Sequence, residues 1–361
     1  MESIIHLMQQ LPSDYEEECI KQGVIKRKRG VSSPADLMML AMFHLHNGCS
    51  LMEISEIGKV TKLGQMSDVA FMKRFEQCDE WFKAINKKIV PEAIINYNKP
   101  AWMEDRTVVV LDGSDVTEKG RSGRIYRLHY ALDLFRMVGI EQKITTNSTG
   151  ESLTNFDLKK GQLAIADRAY ASIKGMTYCM EKGAEYILRL RRNSFTVRDA
   201  QNNVIDIVQL LKKLEEGEYL DLRAYATNLQ KDSIPVRICA KRKTSEAIEN
   251  ARKKLHRQES KKQFEASDET RTFHEYIVLV TNLGDDASAS DVLEAYRLRW
   301  QVEIFFKRLK SIMDFGQLPK RREKSVMAWL NGKIMIALLM EKLISSAIFP
   351  PEEYDEQEYM A

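Results

Sequence analysis

The sequence predicts a mixed α/β protein: a sheet covered by helices, preceded by an all-α N-terminal domain. Three observations predict it. Residues 1–95 carry helical patterning with start signals at several points. From about 105, short apolar runs without alternation recur at Thr107–Leu111, Leu163–Ala166 and Tyr276–Thr281, which suits strands buried on both faces. Segments with helix caps intervene between these runs or follow them.

Pro34 follows Ser33 and opens the dense apolar stretch Ala35 to His46, a helix start with proline at its first position. Ser50-Leu-Met-Glu53 is a capping box. Ser67 opens another helix, in which Phe71 and Phe75 share a face beside Lys73 and Arg74. Short helices with a basic final member suit a helix-turn-helix-like bundle, or any small helical bundle. Thr107–Leu111 ends in Asp112-Gly-Ser-Asp115, and Arg124 to Leu134 and Val138 to Thr145 have extended patterning. Leu163–Ala166 ends in Asp167-Arg-Ala-Tyr170; Ser172 to Lys182 reads as a helix and Ala184 to Leu190 as a strand. Residues 193–275 read as an insertion, strand-like at first and then a highly charged helix from Thr244 to Gln263. After the strand Tyr276–Thr281, Ser288-Ala-Ser-Asp291 caps a long helix that stops near Gly316. A closing helix spans roughly Lys324 to Ser346, and 347–361 is an acidic tail. The expected divisions are therefore 1–95, 104–192, 193–275, 276–346 and the tail.

Composition narrows the class. A chain of 361 residues, 44% hydrophobic and 30% charged, can bury a core and is long enough for two or three domains. The net charge is only +3, yet cations cluster at Lys26–Arg29, Arg189/Arg191/Arg192, Lys241–Lys243, Arg252–Lys254, Lys307–Lys310 and Lys320–Arg322. Clustering with a near-neutral total suggests a polyanion-binding face, although any one cluster suits a solvated surface. Five scattered cysteines without a Cys-x-x-Cys pair argue against a disulfide framework and a structural zinc site, and fit a reducing cytoplasm. No signal-peptide pattern opens the chain, and the apolar run Ile334 to Met340 is too short to span a bilayer. A soluble, cytoplasmic protein without membrane contact is expected.

The chemistry concentrates on the segment Tyr296-Arg-Leu-Arg299-Trp-Gln-Val-Glu303-Ile-Phe-Phe-Lys-Arg-Leu-Lys310. On one continuous α-helix, Tyr296, Arg299, Glu303 and Lys310 would fall within roughly 60° of one another, with Lys307 on the same stripe. A single carboxylate among cations and a phenol suits metal-assisted work on a phosphodiester; it also suits solvated i,i+4 ion pairs. Asp112 and Asp167 each follow a buried apolar strand. If those strands are neighbours, the two carboxylates emerge together at one sheet end, where sites collect in α/β sheets. Close carboxylates repel unless a cation lies between them, and an oxygen-preferring divalent ion resolves the conflict. The bland alternatives are turn chemistry for Asp112 and a helix cap for Asp167. Asp115 and Asp133 are rivals for the first acid. No serine or cysteine nucleophile with a paired histidine stands out, and His44 and His46 read as packing or surface residues.

With those residues in place, the chain resembles bacterial insertion-sequence transposases of the DDE class, in the branch marked by Tyr-x2-Arg-x3-Glu-x6-Lys. Tyr296, Arg299, Glu303 and Lys310 fit that spacing, Asp112 in Leu-Asp-Gly-Ser matches the first acid, and Asp167 in Ala-Asp-Arg-Ala-Tyr the second. The resemblance covers about residues 105–346. It implies an RNase H-like (retroviral-integrase-like) catalytic core, divided into 104–192 and 276–346 by a mostly β insertion at 193–275, with 1–95 as a DNA-binding domain. It implies cut-and-paste transposition: hydrolysis at transposon ends, a DNA hairpin intermediate and strand transfer into target DNA. Asp112, Asp167 and Glu303 would hold Mg²⁺ or Mn²⁺, as two ions. Tyr296, Arg299, Lys310 and Lys307 would hold phosphates, and Trp300 would help manage a flipped base or else pack in the core. The partners implied are double-stranded DNA and a second copy in a synaptic dimer, the protein associating with the nucleoid when bound. Two departures stand out: no tryptophan lies between Trp102 and Trp300 to stack a flipped base, and a dedicated C-terminal dimerisation domain is not expected after the core. The other readings are an RNase H-like nuclease without strand transfer and a catalytically inactive or domesticated DNA-binding regulator.

Overall fold

The computed structural model describes residues 2–26, 30–89, 99–118, 125–136, 138–228, 232–312, 317–318 and 322–346. The acidic tail, Gly316, and the basic runs at 27–29 and 320–321 lie outside the described residues.

The N-terminal segment forms α1 (Glu2–Gln9), α2 (Tyr15–Lys21), α3 (Pro34–Leu45), α4 (Leu51–Val60), α5 (Asp68–Phe75) and α6 (Asp79–Lys88). The caps are those the sequence signals. Ser33 accepts from the Asp36 amide at 3.1 Å, and Ser50 and Glu53 close a reciprocal capping box. Ser67 accepts from the Ala70 amide at 3.2 Å. His44 is a buried packing residue, edge-on to Phe71 and Phe75.

Then follow β1 (Thr107–Glu118), β2 (Ile125–Asp133), β3 (Val138–Thr146), β4 (Gln162–Ala166), α7 (Ile173–Glu181), β5 (Glu185–Arg189), β6 (Thr196–Arg198), α8 (Ile207–Lys212), β7 (Tyr219–Thr227) and β8 (Ser233–Arg242). After α9 (Ser245–Lys262), α10 (Asp268–His274) and β9 (Tyr276–Thr281) come α11 (Ala289–Arg297), α12 (Gln301–Ile312), β10 (Gln317–Leu318) and α13 (Glu323–Ser346). The strands make one mixed sheet in the order β3-β2-β1-β4-β5-β9-β8-β7-β6, with β10 added to the far end of β1. The β1/β4 and β4/β5 pairs are parallel, while β1/β2, β2/β3, β5/β9 and the pairs beyond β9 are antiparallel.

Apolar runs without alternation make sense in this setting because both faces of the sheet are covered. Val108, Val110, Leu163 and Ile165 enter one core; Val109, Leu111, Ala164 and Ala166 enter the other. Each of these eight side chains is at most 1% exposed, and fully burying a Val, Leu or Ile contributes about 1.5–3 kcal/mol.

Two features differ from the simplest reading of the sequence. The first core is continuous from the sheet through α13 into α1–α6. Asn86 donates to the Asn331 carbonyl at 3.0 Å, and Asn331 donates to Asp79 at 2.6 Å. The helical N-terminal segment is thus welded to the closing helix. Likewise β7 and β8 extend the main sheet through the β8/β9 ladder, so residues 193–275 add strands to an existing sheet.

Candidate active site

β1 and β4 run parallel with Leu111 opposite Ala166. The next residues along each chain are Asp112 and Asp167, so the register sets the two acids side by side. Alternation along β1 puts Asp112 on the face of Val108 and Val110, the face that packs against α11–α13.

Asp112 is not the end of its strand, contrary to the sequence expectation. β1 continues to Glu118, paired with β2 from Val109↔Asp133 to Thr117↔Ile125. What ends is β4, at Ala166. Beyond that point β1 has lost its parallel neighbour, and this opens the sheet at Asp112. Apolar patterning cannot register such an event, because it belongs to the partner strand.

Burial is the main reason that Asp112 has its carboxyl pushed up to about 7. The Gly113 amide, donating to Oδ1 at 2.8 Å, and the Arg299 guanidinium oppose the rise; Asp167 and Glu151 add to it. Asp167 is half-buried and accepts from the Ala169 amide at 2.7 Å. It does not cap the following helix, since Ser172 caps α7.

The rivals separate cleanly. Asp115 is held by Arg127, Nε to Oδ1 at 2.8 Å, and is exposed. Asp133 is buried opposite Val109, several residues back along β1, and accepts from the Arg136 amide.

The helix bearing Glu303 also differs from expectation. A 3-10 turn at Leu298–Trp300 interrupts it, separating α11 from α12. A 3-10 turn advances roughly 120° per residue against 100° for an α-helix, so three residues rotate the later positions by roughly 60° relative to one continuous helix. Tyr296 accordingly turns inward, 9% exposed, while the Glu303 side chain is 49% exposed. Burial holds the Tyr296 phenol above its ordinary range. Arg299 links the group. Its guanidinium lies 5.9 Å from the Tyr296 ring centre, bonds Glu303, and comes within 3.9 Å of Asp112 Oδ2. Lys307 and Lys310 are exposed on α12, and Trp300 is half-buried in the 3-10 turn.

Two groups at this opening carried no role in the sequence reading. Glu151, in the turn between β3 and β4, lies against Gly113: a Cβ there would sit 2.6 Å from Glu151 Oε1. The Tyr170 ring is fully buried, and among the described residues its hydroxyl has no hydrogen-bond partner. Tyr170 could have been noticed in Asp-Arg-Ala-Tyr, but Glu151 has no local signal and is brought in by the β3–β4 connection alone.

Several basic clusters turn out to serve the fold. Arg192 bonds Glu269, Lys241 lies 3.5 Å from Glu294, Arg242 pairs with Glu275, and half-buried Lys243 donates to the His274 carbonyl.

As placed, no three His, Cys, Asp or Glu side chains among the described residues converge closely enough to enclose an ion, and Arg299 stands between Asp112 and Glu303. The donor chemistry nonetheless fits a hard divalent cation: the carboxylates of Asp112 and Asp167 follow paired strand positions at one opening of the sheet, and carboxylate oxygens are the ligands such an ion prefers.

Comparison with known proteins adds the context. Residues 104–339 match the family model for the transposase DDE domain. The transposase for insertion sequence element IS421 of Escherichia coli is 24% identical over 348 residues, 94% of this chain and 93% of that protein. InsL of Escherichia coli K12, named as a transposase for insertion sequence element IS186A, is 24% identical over 347 residues with the same coverage. The transposase for IS231F of Bacillus thuringiensis subsp. israelensis is 26% identical over 199 residues, half of this chain and 41% of that protein. Among the described residues no helix is long and apolar enough to cross a membrane.

Proposed function

Because this chain belongs to the DDE transposase family and is an enzyme acting on DNA, we propose that it moves an insertion sequence by a cut-and-paste route. The ends of its element would be hydrolysed, pass through a DNA hairpin, and be transferred into target DNA. The observation that carries this reading is the Leu111↔Ala166 register, which sets Asp112 beside Asp167 on the face where α12 brings Glu303. The strand order β3-β2-β1-β4-β5, with β2 antiparallel, supports an RNase H-like core.

In this reading Asp112, Asp167 and Glu303 hold two Mg²⁺ or Mn²⁺ ions. Ions bound there supply activation of the attacking water or 3′-hydroxyl and charge neutralisation at the leaving oxygen. The remaining work belongs to the chain. Arg299, which bonds Glu303 here, turns to a phosphate and frees the carboxylate when DNA binds. Lys307 and Lys310 bind phosphates further along α12, and Tyr296 buttresses Arg299 from below. Trp300 contributes an aromatic surface beside the scissile end. The helices of 1–89 take part in end binding, and two copies bring two ends together.

The test uses purified protein, Mg²⁺ and labelled DNA carrying the ends of its own element, beside Asp167→Ala. Metal-dependent, end-specific nicking or hairpinning that the variant lacks is expected, followed by joining to target DNA. Cutting without joining would make the protein a nuclease, and binding without cutting in both proteins would make it a regulator.

A further inference from the structure

The helix α9 springs from the end of the sheet where Asp167 lies. β4 and β5 are parallel, and β9 is antiparallel to both β5 and β8, so β4, β5 and β8 share a direction. Arg189 follows Leu188, the partner of Ala166, and so stands level with Asp167 on the neighbouring strand. β8 lies three strand positions from β4, about 14 Å across the sheet. Its ladder with β9 continues to Arg242↔Tyr276, and Thr244 then caps α9. The start of α10 is held at the same end, because Arg192, just past β5, donates to the Ser267 and Thr270 hydroxyls at 3.0 Å each.

Charge on α9 is sorted by face. Ile248 and Leu255 turn inward, 8% and 6% exposed. Glu259 turns inward too, accepting from the Ala266 amide at 2.9 Å and from Arg271 at 3.1 Å. Arg252 bonds Glu275, and Lys253 pairs with Glu249. On the outer side Lys254, Arg257 and Lys261 are exposed and fall within about 60° of one another. Among the described residues Arg257 and Lys261 have neither a hydrogen bond nor an ion pair. The acid on that side, Glu246, lies about two turns before Lys254.

A helix face that is merely solvated interleaves opposite charges at i,i+4 spacing. Here such pairs lie on the flanks and the outer ridge is cationic. Compensation of the helix dipole accounts for Lys261 in the last turn, but Lys254 and Arg257 come before it. From Lys254 to Lys261 the ridge runs about 10 Å, the axial length of about three phosphates on one strand of a duplex. At the base of α9, burial, with Arg189 and Lys254 adding, pushes the Lys243 ammonium down to about 8, a crowding of like charge that a polyanion relieves.

We propose that the outer face of α9, through Lys254, Arg257 and Lys261, is the docking surface for the backbone of target DNA. Cations on a convex helix face meet phosphates, which position a duplex without reading its sequence. That suits a target rather than the ends of the element, which must be told apart from other DNA. The proposal rests on the transposition reading above and adds the surface that receives the duplex to be joined.

The test compares the full chain with Arg257→Gln/Lys261→Gln and with a charge-matched control, Lys212→Gln/Lys213→Gln, at the end of α8. All four side chains are exposed, so melting temperatures are expected to stay at the wild-type value. Binding of a duplex without element ends is measured across a salt series. The α9 variant should lower the slope of log K against log salt by about 1.8, two contacts at about 0.9 each, and the affinity at about 0.1 M salt by about fiftyfold. With Mg²⁺ it should bind and cut element ends as wild type does, while joining of cut ends to target falls. The control should match wild type throughout. An unchanged slope and affinity in the α9 variant would overturn the proposal. So would an equal loss in the control, or a loss of end cutting as large as the loss of joining, which would give the face to the element's own ends. A wild type that binds duplex but neither cuts nor joins would remove the transposition reading, and the target assignment with it.

Discussion

Replacing Asp112 by asparagine is expected to make the metal-free protein more stable while abolishing DNA cleavage. The side chain is 17% exposed, and burial raises its carboxyl from the ordinary 3.8 to about 7. The sign follows from linkage. The folded state binds this proton more tightly than the unfolded chain, so the carboxyl costs nothing below about pH 4 and costs most above pH 7. Holding the ionised carboxylate in the fold costs about 4 kcal/mol at 1.36 kcal/mol per pH unit of displacement. Asparagine removes that cost, which is already net of the attraction to Arg299 and the bond from the Gly113 amide. The gain is about 4 kcal/mol, a rise of roughly 5 °C in melting temperature. The assay is thermal unfolding of both proteins in chelator, at pH 8 and again at pH 5. The difference should be full at pH 8 and fall to about 1.6 kcal/mol at pH 5, where the folded carboxyl is protonated and the unfolded one is still ionised. An Asp112→Asn protein less stable than wild type at pH 8, or a difference independent of pH, would refute the reasoning.

Other expectations follow from the same geometry. Glu303→Ala should abolish cleavage and leave end binding largely intact, because Glu303 is exposed and pairs only with Arg299 among the described ion pairs; a gel-shift loss as large as the cleavage loss would remove it from the metal-ligand set. Arg299→Ala and Lys310→Ala should each lower the slope of log K against log salt by about one phosphate's worth, and unchanged slopes in both would count against the contacts. His129 is fully buried, bonded to Thr145 at 2.9 Å, and burial lowers its ring to about 4. Its stabilisation is present above about pH 6.5 and is lost as pH falls towards 4, by up to about 3 kcal/mol. Urea titrations at pH 7 and 4.5 should show that loss shrinking in His129→Gln. Gly139→Ala would place a Cβ on the Tyr130 hydroxyl, behind which Phe306 of α12 packs 6.1 Å away between ring centres. The overpacking should cost about 1–3 kcal/mol, partly recovered by adding Tyr130→Phe; no recovery would place the strain elsewhere.

Much of the fold is legible because its signals are local. Ser33, Ser50, Ser67, Ser172 and Ser288 each accept from a backbone amide two or three positions into a helix. Such caps need no tertiary partner, so sequence alone locates the helix starts. Val108 to Leu111 reads as a strand for a similar reason: a run that is apolar on both sides has no exposed face in any plausible packing. The spacing from Tyr296 to Lys310 is a property of the chain, whereas the 3-10 turn at Leu298–Trp300, which sets how those side chains are aimed, is not legible in it.

The remainder depends on contacts between distant segments. The acidic residues, the ends of the apolar runs and the helical segment carrying Glu303 are all legible along the chain. Strand pairing makes β1 and β4 parallel neighbours one register step from Asp112 and Asp167, ends β4 while β1 continues, and sets Arg127 against Asp115. The tertiary structure alone brought Glu151 onto Gly113. The physical reason is the range of the forces involved. Propensity, capping and periodicity act over a few residues, whereas a charged site exists only where strand pairing brings separate carboxylates into one poorly solvated space.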